Sequence, residues 1–242
     1  MVNNWTSDDR KYDKYLIEEK DVYQEEINAP SILKLIGDIA GKRVLDAGCG
    51  NGIFTIKLKE LNAEVIGVDA SEYLIKSAQK HFHGINFFVH DLNNKLPFED
   101  SSFDVIVSKM VIEILSDIKF AVKEFYRVLK PKGKLIISNL HPAYFLFWHL
   151  KRRFGVKNSD RYLYVENYFE NVRSEVTIAG GKVKSFPFHR PLQYYLNFLA
   201  DLGFRIEKID EPKLTENFVK NHTKYADRID VPITLNMKLI KD

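Results

Sequence analysis

A short glycine-rich stretch that follows an apolar run most constrains how this chain can fold. The sequence Val44-Leu-Asp-Ala-Gly-Cys-Gly-Asn-Gly52 passes directly into Ile53–Leu61, which has the apolar spacing of a helix. Gly48, Gly50 and Gly52 permit a sharp turn and a close backbone approach to a ligand, while the first amides of the helix stay free to bind it. The stretch therefore predicts a strand that ends at a ligand site and continues into a helix.

A second apolar run, Val65-Ile-Gly-Val-Asp69, ends in a carboxylate 19 residues after Gly50. At this offset an acidic side chain accepts hydrogen bonds from both hydroxyls of a ribose. The alternative is that Asp69 caps the helix predicted to begin at Ser71, because aspartate is a good capping residue. Together with the glycine turn, Asp69 favours a ligand that contains a nucleoside.

The spacing of the glycines argues against a dinucleotide. The dinucleotide fingerprint is Gly-x-Gly-x-x-Gly, whereas this chain has Gly48-x-Gly50-x-Gly52. Asp46 precedes the turn and puts a negative charge where a pyrophosphate would be repelled. A carboxylate at this point suits a ligand that carries an ammonium and a sulfonium group.

The centre of the chain alternates between short Val/Ile-rich runs and amphipathic segments. This rhythm is typical of an α/β fold with a doubly wound, mostly parallel sheet that helices cover on both faces. The predicted strands are Arg43–Asp46, Glu64–Asp69, Asn86–Val89, Phe103–Ser108 and Lys134–Asn139, and the predicted helices are Ile53–Leu61, Ser71–Phe82 and Ile118–Leu129.

The two ends of the chain depart from this rhythm, and we interpret the whole as one domain. We expect an N-terminal helical cover over residues 1–40, a ligand-binding core over 41–142, a cap insertion over 143–190, and a C-terminal helix with strands over 191–242. The elements predicted in these flanks are helices at Asp8–Asp21 and Ile27–Ile39, the latter ended by Gly41, strands at Tyr168–Ile178 and Lys182–Phe188 forming a hairpin at Gly180-Gly181, a helix at Pro191–Leu202, and strands at Arg205–Asp210 and Ile233–Ile240.

Three further segments extend the pattern beyond the glycine turn. They are Phe87-Phe-Val-His-Asp-Leu92, the run from Leu96 to Ser108, and the run from Phe125 to Leu135. With the turn and Asp69, the chain resembles the Rossmann-like, class I S-adenosylmethionine-dependent methyltransferases, in their small-molecule branch. The resemblance implies a seven-stranded sheet whose last strand is antiparallel. It also implies methyl transfer to an O, N or C atom of a small-molecule acceptor, with S-adenosylhomocysteine as product.

The resemblance also implies which residues bind S-adenosylmethionine. Cys49 lies within the same turn, although a small buried apolar side chain is an alternative interpretation of this thiol. The implied contacts are Asp46, Gly48, Cys49 and Gly50 around the methionine part, Asp69 at the ribose, Ala70 at the adenine edge, Asp91 at the exocyclic amine, Leu92 against the ring, and Ser108 and Lys109 beside the sulfonium.

Ligands of open parallel sheets lie at the carboxyl ends of the strands, so residues after the fourth and fifth strands are candidates for catalysis. His141, His189 and Glu113 are the candidate general bases. His141 precedes Pro142 and alternatively completes a turn, and His189 alternatively caps the following helix. Glu113 departs from the similar branch, in which a histidine is common at this point.

Composition limits the partners and the compartment. The net charge is +3, from 36 Lys and Arg against 33 Asp and Glu, so no nucleic-acid surface is expected. Cys49 is the only cysteine, which excludes an internal disulfide and a multi-cysteine metal site, and no metal is expected. The polar N-terminus lacks the apolar segment of a signal peptide, and Ala143–Trp148 is too short to span a membrane, so we expect a cytoplasmic protein.

Two other functions fit the same motifs. One is a non-catalytic S-adenosylmethionine-binding protein or partner subunit, and the other is methylation of RNA or protein. The cover is a further open point, because Tyr144–Phe154 is either a lid over an apolar acceptor, a membrane-surface helix or core packing. Tyr12, Tyr15 and Tyr23 are candidates to close over the cofactor, and the alternative for each is a surface tyrosine. The pattern leaves the acceptor and the oligomeric state open.

Overall fold

One seven-stranded sheet organises the molecule, in a computed structural model that describes residues 7–144 and 168–242. Its strands are β1 (Arg43–Ala47), β2 (Glu64–Asp69), β3 (Asn86–Val89), β4 (Phe103–Lys109), β5 (Leu129–Leu140), β10 (Phe204–Asp210) and β11 (Thr234–Lys241). The order across the sheet is β10-β11-β5-β4-β1-β2-β3. β11 runs antiparallel to both β5 and β10, and the remaining pairs are parallel, so the predicted seven strands with an antiparallel last strand are confirmed.

Helices cover both faces of the sheet. The central strands β1 and β4 are apolar and buried on both sides, as a parallel sheet between helices requires, whereas the edge strands β3 and β10 are largely exposed. Side chains of α2 (Ala29–Ile36) and α3 (Ile53–Glu60) pack on one face, and those of α5 (Ile118–Val128) and α6 (Leu192–Asp201) pack on the other. The helices are α1 (Asp9–Glu18), α2 (Ala29–Ile36), α3 (Ile53–Glu60), α4 (Glu72–His81), α5 (Ile118–Val128), α6 (Leu192–Asp201) and α7 (Glu216–Asn221), with a π-helical turn at Gln24–Asn28 and a 3₁₀ segment at Thr223–Arg228.

The parallel pairing gathers the ends of three central strands. Leu45 in β1 lies between Ile66 of β2 and Ile106 of β4. Because these strands run in one direction, the residues at their carboxyl ends meet at the same edge of the sheet. The glycine turn after β1 and Asp69 at the end of β2 are thereby neighbours.

The second predicted helix ends earlier than expected. The prediction placed its end at Gly41, but α2 ends at Ile36 and Gly37 adopts a φ of +69°. A glycine in the left-handed region ends an α-helix, and Gly37 is the first glycine that the chain meets. The π-helical turn before α2 was not predicted either, and neither were α7 and the 3₁₀ segment.

The predicted hairpin exists, but its strands are shorter than expected. Two pairs replace two long strands: β7 (Val176–Ile178) with β8 (Val183–Ser185), and β6 (Val172–Arg173) with β9 (Phe188–His189). Pro187 separates β8 from β9, and a proline has no amide proton for a strand ladder. We refer to residues 176–187, which include β7, β8 and the turn at Ala179–Gly181, as the cap hairpin.

Within residues 7–144 and 168–242, none of the helices has both the length and the apolar character needed to cross a membrane. The predicted aromatic lid at Tyr144–Phe154 lies outside the described residues, apart from Tyr144. Tyr144 itself packs in a cluster with Tyr23, Leu214 and Phe218, beside β11.

Candidate active site

A cavity of about 230 Å³ lies at the carboxyl ends of β1, β2 and β4. One end, here called the glycine-turn end, is formed by residues 46–53 with Asp69, Ala70 and Leu92. The other, here called the hairpin end, is formed by residues 109–115 and the cap hairpin. α1 contributes Tyr12, Tyr15 and Leu16 to the wall of the same cavity.

The glycine turn is folded tightly against β2 and against the segment after β4. The amides of Gly48 and Cys49 both donate to the carbonyl of Val68, at 2.7 and 3.0 Å. Gly48 has a φ of +87°, and a Cβ atom built on it would lie 2.2 Å from Cγ2 of Val111. A side chain therefore cannot replace this hydrogen without moving the wall of the cavity.

Asp69 links β2 to the glycine turn. Its Oδ2 accepts from the amide of Gly50 at 2.9 Å, and its Oδ1 accepts from the amide of Ser71 at 2.8 Å. Burial raises the pKa of Asp69 to about 6, although both amide donors act to lower it. The hydroxyl of Ser71 accepts from the amide of Leu74, so Ser71 is the residue that caps α4. Asp69 is thus held at the cavity, facing the turn.

Asp46 is fully buried at the end of β1 and faces the same cavity. Its Oδ2 accepts a hydrogen bond from the hydroxyl of Thr55 at 2.7 Å. Burial raises the pKa of Asp46 to about 6, and the Thr55 bond and the charge of Lys109 oppose this rise. A cationic ligand group at this point would favour the ionised carboxylate.

Lys109 is the cationic side chain of the cavity wall. Its Nζ lies 5.6 Å from the centre of the Phe54 ring, and it forms no ion pair within the described part of the chain. Burial lowers the pKa of Lys109, against the attraction of carboxylates that include Asp21 and Asp46. Ser108, the residue before it, is fully buried in β4 and does not line the cavity.

Glu113 lies at the hairpin end with 4% of its surface exposed. Its Oε2 has no hydrogen-bond partner among the described residues. Burial raises the pKa of Glu113 to about 7, although backbone hydrogen bonds and the charges of Arg190 and Lys109 lower it. A buried carboxyl group with an unpaired oxygen is costly, which makes Glu113 a candidate ligand-binding group.

Arg190 holds the segment that carries Glu113, a contact that the sequence did not reveal. Its guanidinium donates to the carbonyls of Leu115 at 2.7 Å and of Ile112 at 3.3 Å. The amide of Phe188 donates to the carbonyl of Glu113 at 2.6 Å. Three carbonyls of the segment after β4 are therefore fixed by residues that lie some 75 positions later.

α1 closes the glycine-turn end through the carboxylates of Asp13 and Asp9. Asp13, 5% exposed, accepts from Nδ2 of Asn51 and from the hydroxyl of Ser77, each at 2.8 Å. Asp9 accepts from the hydroxyl of Ser71 at 2.5 Å. These bonds fasten α1 to the start of α3 and to α4.

α1 also contacts the cap hairpin. Tyr15 packs against Ala179 and Val183, and Lys182 forms an ion pair with Glu19. Tyr12 and Tyr15 therefore stand where the sequence placed them, at the cavity. Tyr23 does not line it, because its hydroxyl pairs with that of Thr234 at 2.7 Å.

Other predicted site residues lie apart from the cavity lining. Oδ1 of Asp91 accepts from the amide and the side chain of Asn93. Nε2 of His141 lies 2.7 Å from Oε1 of Glu211, and its Nδ1 accepts from the amide of Ala143 at 3.1 Å. Nε2 of His189 lies 2.9 Å from the carbonyl of Tyr168. Burial lowers the pKa of both histidines, and neither faces the cavity that Glu113 lines.

Comparison with known proteins shows which family the central part of the chain resembles. Residues 45–137 match the model of the methyltransferase domain family. The chain is 25% identical to an S-adenosylmethionine-dependent methyltransferase of Mesorhizobium loti whose crystal structure is known, with a TM-score of 0.71. That match covers 87% of this chain and 96% of the other.

Two relatives whose names state an activity match over a shorter region. A demethylmenaquinone methyltransferase of Tropheryma whipplei is 35% identical over 50% of this chain and 52% of its own length. A malonyl-[acyl-carrier protein] O-methyltransferase of Hamiltonella defensa is 33% identical over 45% of this chain and 42% of its own. The chain thus matches about half or less of each relative. The hairpin end, built partly from residues 176–187, lies outside the segment that the family model matches.

Proposed function

Because this chain carries a Rossmann-like S-adenosylmethionine-dependent methyltransferase domain, we propose that it transfers a methyl group from S-adenosylmethionine to a small-molecule acceptor. The observation that carries this proposal is the position of Asp69. Its carboxylate lies in the cavity against the amide of Gly50, so the second strand and the glycine turn form one binding surface. The relatives' names include different acceptors, so an O, N or C atom is the proposed target.

The residues present fit the cofactor. Asp69 would accept hydrogen bonds from the ribose hydroxyls, and the apolar surfaces of Ala70 and Leu92 lie at the same end for the adenine. Asp46 supplies a negative charge near the positive methionine part. Cys49 contributes a small apolar wall, and its buried thiol has a raised pKa, which argues against a nucleophilic role. When bound, S-adenosylmethionine supplies an electrophilic methyl group on a sulfonium.

The chain itself has to orient the acceptor and exclude water. Alignment of two reactants can supply roughly 7–11 kcal/mol of a reaction barrier. α1 and the cap hairpin enclose the cavity from one side, and the segment held by Arg190 encloses it from another. These covering elements leave room for a small molecule between them, which supports a small-molecule acceptor.

Thermal unfolding with added ligand tests the proposal. We expect S-adenosylhomocysteine at one hundred times its Kd to stabilise the protein by about 2.7 kcal/mol, a rise in Tm of about 5–10 °C. NAD at the same concentration is the control, because the spacing of the glycines predicts that a dinucleotide does not bind. A shift with NAD alone, or with neither ligand, would contradict the proposal.

A matched pair of variants tests the residue that carries the argument. Asp69→Asn removes the charge and one acceptor at the ribose position, and we expect S-adenosylhomocysteine affinity to fall about 100-fold. Asp230→Asn changes an aspartate whose side chain is 85% exposed, and should leave the affinity unchanged. Isothermal titration calorimetry measures both. If the adenosyl ligand binds and no acceptor from a broad metabolite set is methylated, the chain is a non-catalytic binding protein instead.

A further inference from the structure

The acceptor-facing wall of the cavity contains a buried acid that the fold itself leaves incompletely bonded. Glu113 is 4% exposed, and its Oε2 meets no donor within the described residues. By contrast, Asp46 and Asp69, whose carboxylates also line the cavity, each accept at least one hydrogen bond. Buried polar atoms are nearly always bonded in folded proteins, so an orphaned oxygen in a cavity points to a ligand donor.

The charged groups around Glu113 do not supply that donor. Arg190 is committed to the carbonyls of Ile112 and Leu115. Lys109 lies in the same cavity but forms no ion pair with Glu113. Tyr12 on α1 and Tyr195 on α6 are further titratable neighbours, and the charge of Glu113 contributes to the raised pKa of each. The protein thus leaves Oε2 of Glu113 without a donor among residues 7–144 and 168–242, and this oxygen is available to a donor group of a ligand.

Most of the other side chains that line the hairpin end are apolar, Lys109 and Ser185 being the exceptions. Ile114 of the segment after β4 and Leu140 of β5 line the cavity here, together with Val176, Ile178 and Pro187 of the cap hairpin. An acceptor that fits here has an apolar body, because polar groups placed against these side chains would lose hydrogen bonds with water. It presents a single donor toward Oε2.

We propose that Glu113 selects an acceptor whose nucleophilic atom carries a hydrogen, an apolar-bodied alcohol, phenol or amine, and takes that hydrogen as a proton during transfer. The inference rests on the proposed function and deepens it, since it names the acceptor class. It also excludes acceptors that present a carboxylate, because a second negative charge beside ionised Glu113 would be repelled in a desolvated site.

The step balances within the named groups. A lone pair of the acceptor's O or N atom forms the new bond to the methyl carbon, and the carbon–sulfur bond breaks with its electron pair remaining on sulfur. The O–H or N–H proton passes to Oε2 of Glu113, which becomes a carboxylic acid. Release of this proton to water restores the carboxylate for the next turnover. A pKa near 7 suits a group that both takes and releases a proton at neutral pH.

The test uses the full chain saturated with S-adenosylhomocysteine and a set of size-matched fragments. The set contains 4-ethylphenol, 4-ethylaniline and 4-ethylbenzoate, with further phenols, alkyl alcohols and amines each paired with a carboxylate of equal size. Ligand-observed NMR at pH 8 measures the affinities. We expect the donors to bind at least tenfold more tightly than their carboxylate partners, and the phenol and aniline arms show whether O or N is preferred.

Glu113→Gln should reduce this preference to less than threefold, and Glu113→Asp should restore part of it. Glu99→Gln, which alters an exposed glutamate outside the cavity, should leave it unchanged. In the wild-type protein the affinity of the donors should rise as the pH rises through about 7, and in Glu113→Gln it should be flat. A merely structural role for Glu113 would not produce this difference in pH dependence.

Each result separates the two proposals. If S-adenosylhomocysteine binds neither the wild type nor Glu113→Gln, the proposed function itself fails. If it binds both alike, but the donors bind no better than the carboxylates or Glu113→Gln keeps the preference, the inference about Glu113 is overturned and the proposed function stands. If no donor of the set binds the loaded protein, the inference is overturned as well.

Discussion

The two ends of the cavity satisfy their polar groups in different ways. At the glycine-turn end, Asp46 accepts from Thr55 and Asp69 accepts from the amides of Gly50 and Ser71, so the chain completes its own bonding. At the hairpin end, an oxygen of Glu113 has no partner among the described residues. The carboxylates of the glycine-turn end are therefore bonded by the protein itself, whereas the hairpin end keeps a carboxylate oxygen without a protein donor in the described part of the chain.

The ends also differ in how the sequence encodes them. The glycine-turn end comes largely from residues 44–70, within one strand–helix–strand unit. The hairpin end joins residues 109–115 to residues 176–187 through Arg190 and Phe188. Local spacing can specify the first end, whereas the second depends on contacts between distant segments. Substitutions made at one end of the cavity at a time test whether the two ends behave independently.

The largest effect is expected where the two ends touch. Gly48→Ala would place a Cβ 2.2 Å from Val111 at a φ of +87°, which combines overpacking with backbone strain and should destabilise the fold by about 2–5 kcal/mol. Gly41→Ala is the control, because Gly41 also has a positive φ but no atom lies within 4 Å of its Cβ position. Chemical denaturation measures both. Equal losses would show that strain alone matters and that the ends are not in steric contact.

Removal of the Arg190 clamp should have the next largest effect. Arg190→Met leaves the carbonyls of Ile112 and Leu115 without their donor, and we expect a loss of about 2–4 kcal/mol in the free energy of unfolding. The affinity of the folded variant for S-adenosylhomocysteine should stay within threefold of wild type, since the clamp serves the hairpin end. Arg173→Met, at an exposed position of β6, is the control. A large loss of cofactor affinity would contradict the separation of the ends.

Glu113 gives the third effect, which depends on pH. The folded protein binds the Glu113 proton more tightly than the unfolded chain does, so this group stabilises the fold below about pH 4.5 and loses that contribution as the pH rises through about 7. Glu113→Gln removes the buried charge. We expect it to be more stable than wild type by about 2–3 kcal/mol at pH 8.5, with little difference at pH 5.

Thermal unfolding of the ligand-free protein at the two pH values measures this difference. The raised pKa values of Asp46 and Asp69 affect wild type and variant equally, so they cancel in the comparison. Glu99→Gln should show no pH-dependent difference. A Glu113→Gln variant less stable than wild type at pH 8.5 would mean that the carboxylate is bonded in solution.

The smallest effect concerns the closure of α1 over the glycine-turn end. Asp13→Asn removes the negative charge that strengthens the hydrogen bonds from Asn51 and Ser77, and should cost about 1–2 kcal/mol. Because α1 closes the cofactor site, dissociation of S-adenosylhomocysteine should become several-fold faster. Glu18→Gln, on an exposed position of the same helix, should change neither quantity. Stopped-flow dissociation measures the rate, and an unchanged rate would show that α1 does not gate the site.

Much of the fold could be predicted from the sequence because the signals are local. Val/Ile-rich runs fixed the parallel strands, and the hairpin turn at Gly180-Gly181 was found from the glycines alone. The end of α2 was misplaced because both Gly37 and Gly41 can stop a helix, and the apolar pattern continued to Ile39. The helical segments after Thr215 are short and lack a clear apolar period, so they gave no signal.

The site residues also divide into those that local sequence patterns predict and those that they do not. The residues of the glycine turn and Asp69 have a fixed spacing that reflects their chemistry. Histidines after the strands carry no such information, since a position near a strand end does not determine where a side chain points. His141 meets Glu211, a contact across 70 residues that local patterns cannot anticipate. Arg190 was missed for the same reason, because its partners lie on a segment far away in the sequence.

The position of β11 has a consequence for how the protein is made. β11 lies between β5 and β10, and it also supplies Thr234 and Asn236, which donate to the buried Asn28. During synthesis the ribosome releases this segment after every other strand of the sheet. Until then β10 has no neighbour in the sheet and one edge of β5 is bare, a state in which strands are prone to aggregate. Strands β1 to β5 can pair earlier, but the sheet is complete only when β11 inserts between β5 and β10.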